Sequence, residues 1–284
     1  MSVPAHACDT HMHIFGDPVR YPAAARRAYD PVPMGLDRYD AEAARMGFAR
    51  VVFVQPSAYG TDNTCMLAAL RTRGASSRGV AVIDDATSDA TLSELAEAGT
   101  QGVRLNLISN GTPDPVAAIA LLRTTAARVG RLGWHVQIYA PPDLFTDLAG
   151  VIPGLGVPVV VDHMGAGDGK LAAARPGFDA LLQLLADGHV WVKLSGANRV
   201  SRQAAGFDDA IPVIQALAAA NPTHCVWGTD WPHIGPHVAG APRTVVYMPH
   251  DNLDLLGLLE RALPDPAALQ AILVDNPAQL YGFA

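Results

Sequence analysis

The chain has 284 residues, a net charge of −7 and 50% hydrophobic residues. That length supports one large core or two small ones, and the acidity, with no basic run, argues against a nucleic-acid binder. No apolar stretch approaches the ~20 residues that cross a bilayer, so no membrane span is expected.

The N-terminal "MSVPAHACD" lacks the basic and apolar regions of a secretory signal. Cys8, Cys65 and Cys225 are widely spaced and form no CxxC pair. Both features suit a cytoplasmic protein with reduced thiols.

The first predicted strand is "CDTHMHIF", residues 8–15. Alternate residues of a strand point the same way, so His11 and His13 are expected on one face. Two buried imidazoles side by side are costly unless something polar uses them. A helical pattern over 36–48 leads to "RVVFVQ" (50–55), with Ser57 and Tyr59 just beyond it. A helix over 63–73, "GVAVID" (79–84) and a helix over 88–98 follow. "GVRLNL" (102–107) carries Arg104 and Asn106 and precedes a helix over 114–132. "WHVQIY" (134–139) ends in Tyr139 and precedes a helix over 142–150. "PVVVDH" (158–163) ends in Asp162 and His163, before a helix over 172–186. "VWVKL" (190–194) carries Lys193, with Ser195 and Arg199 after it, and a helix over 207–220 comes next. "CVWGTD" (225–230) ends in Asp230, with His233 close behind, and two helices over 252–263 and 266–275 complete the chain.

Several strands are near-continuous in Val and Ile, which suits a parallel sheet buried on both faces. Eight strands alternating with helices predict an α/β fold, a (β/α)8 barrel whose usual size is about 250 residues. No linker or composition shift divides the chain, so residues 1–284 are expected to form a single domain. A doubly wound open sheet is disfavoured because no GxGxxG or GxxxxGK[ST] follows a strand. In the barrel, chemistry sits at the C-terminal ends of the strands. Polar groups end nearly every predicted strand, inside otherwise apolar runs, and that convergence points to a site. His135, His189 and His224 receive no role, and Met12 and Met164 read as packing.

"DTHMHIFG", "VQPSAYGTDN", "GVRLNL", "VDHMG", "WGTDWPH" and "NPAQLYGF" resemble the amidohydrolase superfamily, and within it the amidohydrolase-2 branch that includes pyrone dicarboxylate and sugar lactonases. The resemblance spans essentially the whole chain and implies an enzyme that opens the ring ester of a small carboxylated lactone. It implies Asp230 as the base that takes a proton from water, and His11, His13 and His163 as polarisers of the carbonyl. It implies Arg104 on a substrate carboxylate with help from Arg199. Tyr139, Ser57 and Tyr59 would hold the ring, and Tyr29 would close over it. A lactone isomerase, a sugar lactonase or a mononuclear-zinc decarboxylase on the same site are the alternatives.

Binuclear members bridge two metals with a lysine or glutamate on strand 4, where this chain has Arg104 and Asn106. Decarboxylase-type relatives add a histidine at the end of strand 5, where this chain has Tyr139. The resemblance to the pyrone lactonases therefore implies no required metal, the fallback being one Zn2+ at His11, His13 and Asp230. The family's extra arginines fall at Asn110 and Ala166 here. Losing two guanidiniums puts a dicarboxylate in doubt and favours a monocarboxylated or hydroxylated lactone. Arg104 itself needs an anion, either the substrate's or an internal carboxylate such as Asp84. The expected partner is thus a small-molecule lactone, and the oligomeric state is left open.

Overall fold

The computed structural model describes residues 3–108, 114–165, 176–235 and 244–284. Eight parallel strands form one sheet in chain order: β1 Cys8–Met12, β2 Arg50–Val54, β3 Ser77–Ala81, β4 Thr100–Asn106, β5 His135–Tyr139, β6 Val159–Val161, β7 Val190–Leu194 and β8 Cys225–Trp227. Parallel neighbours need a crossover. Helices supply it: α1 Leu36–Met46, α2 Thr64–Arg73, α3 Asp89–Glu97, α4 Pro115–Val129, α5 Leu144–Leu148, α6 Pro176–Ala186, the short α7 Ala197–Val200 and α8 Ile211–Ala220. The (β/α)8 barrel expected from the sequence is the fold that forms.

Local chemistry starts the helices. Ser88, Asp114 and Asp251 accept hydrogen bonds from the backbone N–H groups of Thr91, Ala117 and Leu253, capping α3, α4 and α9 (Asn252–Ala262). The predicted 172–186 helix is described from Pro176, residues 172–175 lying outside the described residues, as do Asn110 and Ala166. The predicted closing helix runs on as α10 Pro266–Gln270, a wide turn over Ala271–Asp275, and α11 Asn276–Tyr281. Among the described residues no helix is long and apolar enough to cross a membrane. All three cysteines are buried and free.

The two-residue period of a strand divides its side chains between barrel and helices. Val103, Leu105, Val136, Ile138, Val190, Val192 and Leu194 join the core shared with the helices. Their alternates Arg104, Gln137 and Lys193 lie inside the barrel, where Lys193 Nζ donates to Gln137 Oε1 at 2.7 Å. The floor is closed by the C-terminal Tyr281 and Phe283, packed with Cys8, Val52, Val54 and Val80.

The seam between β8 and β1 places the chemistry. Asp230 N–H donates to His11 O and His13 N–H donates to Trp231 O, both at 2.8 Å, beside a parallel bridge from Met12 to Trp231. Asp9 locks this seam by accepting from His11 N–H, Thr229 N–H, the Thr229 hydroxyl and the Tyr39 hydroxyl. Burial alone raises the Asp9 pKa, and these donors oppose the rise.

Six strands end earlier than the sequence predicts: β2 and β4 by one residue, β3 by three at Ala81, and three that carry site residues. β1 stops at Met12, β6 at Val161 and β8 at Trp227, so His13, His163 and Asp230 lie just past the ladder. The β1–β2 register also slips between Asp9 and Met12. Past the ladder the backbone turns left-handed, with φ of +50° at His163, +56° at Met164, +60° at Asp230 and +62° at His233. Such angles are sparsely populated by residues with a side chain and cluster at functional sites.

Candidate active site

At the C-terminal end of the barrel three imidazoles converge on one carboxylate oxygen. Asp230 Oδ1 lies 3.5 Å from His13 Nε2, 3.7 Å from His11 Nε2 and 3.8 Å from His163 Nε2. The other oxygen, Oδ2, accepts from Arg199 Nε at 2.8 Å and lies 2.8 Å from Nη2 of the same guanidinium. Burial pushes the Asp230 pKa up, but Arg199 and the surrounding imidazoles outweigh it and hold the group well below the usual carboxylate range. Burial likewise keeps His11 neutral, its pKa well below that of a free imidazole, and brings His163 down to about 4.

Each ring is fixed by its far nitrogen. His13 Nδ1 donates to the Val54 carbonyl at 2.8 Å, which turns its Nε2 towards Asp230. His163 Nδ1 meets the Ser195 hydroxyl at 3.0 Å. Gly196, at φ +64°, makes room for that ring, because a Cβ there would lie 2.8 Å from His163 Nδ1. His11 Nδ1 lies 3.4 Å from Lys193 Nζ in a hydrogen bond and 3.2 Å from Asp162 Oδ1, an oxygen that accepts no hydrogen bond.

Arg104 has an internal partner. Its Nε donates to Asp162 Oδ2 at 2.9 Å, with both groups buried. Asp84, named above as the example of such a carboxylate, instead turns to Thr87 and the Ala86 N–H. Asp162 is buried just past β6 whereas Asp84 is exposed, and the buried Arg104 pairs with the buried carboxylate. The Arg104 guanidinium also lies over the Tyr139 ring, 5.4 Å from its centroid, and Tyr139 stands edge-on to His163 at 5.1 Å. Burial pushes the Asp162 pKa up, and His11, Arg104 and Lys193 together drive it well below the usual range.

Ser57, Tyr59 and Tyr29 form a wall beside this cluster, with Tyr29 in the field of Arg104 and Arg199. Tyr29 pairs with the Ser57 side chain, and Tyr59 Oη accepts from Gly16 N–H at 3.1 Å. The rings of Tyr29, Tyr59 and Tyr247 surround Phe15 at 6.3, 6.1 and 6.0 Å, and Phe15 is 6.4 Å from His13. Tyr29 and Tyr59 are buried, so this wall is already closed in the resting fold. The sequence thus yields His11, His13, His163, Asp230 and Arg199 as one cluster, with Arg104 and Tyr139 one contact away. Phe15, Tyr247, Asp9 and the roles of Asp162, Lys193 and Ser195 were not assigned from it. Lys193 in "VWVKL" did carry a signal, since a charge in a buried strand must have partners.

Two groups, His11–His13–Asp230 and His11–Asp162–His163, have ligand atoms within 4.8 Å of one another and could by position hold a metal ion. A histidine that ligates a metal usually donates its other N–H to a carbonyl or carboxylate. His13 obeys this rule, while His11 Nδ1 lies between the Asp162 carboxylate at 3.2 Å and the Lys193 ammonium at 3.4 Å. Asp230 Oδ2 is already held by Arg199, which leaves Oδ1 facing the imidazoles.

Fold and site together define a (β/α)8 barrel with histidines and a carboxylate gathered at the strand ends. Residues 8–283 match the amidohydrolase family, and the chain belongs to it. It is 34% identical over 283 residues to the 4-sulfomuconolactone hydrolase of Rhizobium radiobacter, covering 99% of this chain and 91% of the relative. It is 33% identical over 291 residues to the 2-pyrone-4,6-dicarboxylate hydrolase of Comamonas testosteroni, covering 98% and 91%. Its fold is similar to a solved Pseudomonas putida structure described as a 2-pyrone-4,6-dicarboxylic acid hydrolase, with a TM-score of 0.80, 32% identity and 99% of each chain covered.

Proposed function

We propose that this protein hydrolyses the ring ester of a small anionic lactone, without a required metal. The observation that carries the reading is the convergence of three imidazole Nε2 atoms on Asp230 Oδ1 at the strand ends. The relatives whose names specify acid-bearing lactones support the substrate class.

In this reading a water sits to one side of the 3.5 Å contact between Asp230 Oδ1 and His13 Nε2 and donates a hydrogen to Asp230 Oδ1. The water oxygen bonds to the lactone carbonyl carbon while its proton passes to Asp230. His11 and His163 donate to the carbonyl oxygen as it becomes an oxyanion. The carbonyl re-forms, the ring C–O bond breaks, and the leaving oxygen takes the proton back from Asp230. A carboxylate as strongly held as Asp230 is a weak base while Arg199 is forked onto it. A substrate carboxylate is the natural competitor for that guanidinium, so binding frees the base as it orients the ring. Arg104, fixed through its Nε on Asp162, takes part in holding the same anion, and Tyr139, Ser57, Tyr59 and Tyr29 shape the ring's surroundings. One substrate carboxylate suits this set better than two.

The test is a hydrolysis screen over carboxylated pyrones, muconolactones and sugar-acid lactones, with metal analysis of the same preparation. Turnover of a carboxylated lactone is expected, undiminished by chelator and with well under one equivalent of Zn2+. No turnover on any lactone would overturn the substrate class. Stoichiometric Zn2+ with loss of activity in chelator would overturn the metal-free reading.

A further inference from the structure

We infer that Lys193 is a positioning residue that holds His11 in the tautomer with its proton on Nε2. The tautomer stands on packing alone, and its use in the reaction rests on the function proposed above. Lys193 is wholly buried on β7. Its Nζ donates to the Thr10 carbonyl and to Gln137 Oε1, both at 2.7 Å, and its third hydrogen bond is to His11 Nδ1 at 3.4 Å. An ammonium carries three donors and no acceptor. With two donors spent on oxygens, the third fits only a ring nitrogen that offers a lone pair.

Asp162 is the competing partner. Its Oδ1 lies 3.2 Å from His11 Nδ1 and would draw the proton to that nitrogen if the N–H were aimed at it. That oxygen has no hydrogen bond among the described residues, so the ring N–H direction at Nδ1 is not aligned on it. The imidazole is neutral and has one proton to place. If Nδ1 accepts from Lys193, the proton is on Nε2, which points towards Asp230 Oδ1 and the reaction space.

The consequence is specific to this histidine. His13, two residues away, carries a proton on Nδ1, which donates to a carbonyl. The two members of one HxH pair thus differ in what stands behind the ring: an ammonium at His11 and a carbonyl at His13. The same ammonium makes His11 a poor ligand for a cation, since Nε2 carries a proton and a positive charge stands behind the ring.

The test reads the tautomer directly. Protein labelled with 15N at histidine gives ring nitrogen shifts and two-bond couplings, with His11 assigned by the loss of its signals in His11→Asn. Wild-type His11 is expected to show a protonated Nε2 and a bare Nδ1. In Lys193→Met the pattern should reverse, and Zn2+ affinity, read by competition with a chromophoric chelator, should rise about ten-fold or more. A bare Nε2 in the wild type overturns the inference, as does a variant that keeps the wild-type tautomer. If Lys193→Met does not fold, the wild-type spectrum still decides. This result is independent of the lactone screen: the tautomer can fail with the hydrolase intact, and the hydrolase can fail with the tautomer intact.

Discussion

His11 and His135 are both inside the barrel, 0% and 2% exposed. Burial holds both far below a free imidazole, with His135 brought down to about 3. There the likeness ends. His11 stands at the C-terminal end of β1, within 4 Å of Asp162, Lys193 and Asp230. His135 opens β5 at the floor, edge-on to the Tyr281 ring at 5.4 Å, and neither of its ring nitrogens is hydrogen-bonded among the described residues. The floor around it is closed by the C-terminal aromatic plug, whereas the other end gathers charges. Equal burial and the same residue type therefore say little about function. What separates the two ends is strand direction, which brings loop-borne groups to one end only.

The contrast breaks most sharply at Asp230. Asp230→Asn keeps the shape of the site but cannot take a proton, so turnover should fall about 10²- to 10⁴-fold while substrate still binds. Steady-state kinetics with a binding measurement on the same variant check this. A normal kcat would remove Asp230 from the reaction and leave the mouth no more chemical than the floor.

Arg104 tests how far the mouth extends downward. Arg104→Met leaves Asp162 buried beside His11 and Lys193 without the guanidinium that hydrogen-bonds it, and breaking a buried pair costs roughly 3–5 kcal/mol. A lower Tm is therefore expected whatever the substrate. If Arg104 also meets the substrate's anion, KM should rise about 10-fold for a carboxylated lactone and much less for a neutral one. Equal losses on both would confine Arg104 to supporting Asp162.

The barrel was legible because eight short Val- and Ile-rich runs, each followed by a helical pattern, leave few other topologies. The cluster of His11, His13, His163, Asp230 and Arg199 was legible for a related reason: polar residues inside apolar runs fall at strand ends. The left-handed turns at His163 and Asp230 were not, because Asp and His tolerate positive φ without requiring it, and the surrounding packing decides. Nor was the Arg104 partner, since Asp84 and Asp162 both follow apolar strands and only the closed barrel decides which one faces inward. The difference within the HxH pair was hidden too. It depends on whether Val54 O or Lys193 Nζ stands behind each ring, a contact between strands distant in sequence.

The smallest effect on catalysis is expected at the floor, and pH gives it a sharp reading. His135 is neutral in the fold with a pKa near 3, against about 6.5 when unfolded. Below about pH 6.5 the unfolded chain binds a proton that the folded chain refuses, so stability is lost as pH falls from 6.5 towards 3. At pH 5 this one group costs about 2 kcal/mol relative to pH 8. His135→Leu removes the titrating group and two ring nitrogens that lack hydrogen bonds, and replaces them with an apolar side chain of similar volume. Stability at neutral pH should change by less than about 1.5 kcal/mol. The drop in Tm between pH 8 and pH 5 should narrow by roughly 4 °C, and kcat should stay within about two-fold of wild type. Thermal melts at the two pH values, with kinetics at the higher one, settle the matter. An unchanged acid limb would mean that His135 already accepts a proton in the fold. A large loss of kcat would mean that the floor and the mouth work as one unit, and the distinction drawn between His11 and His135 would fail.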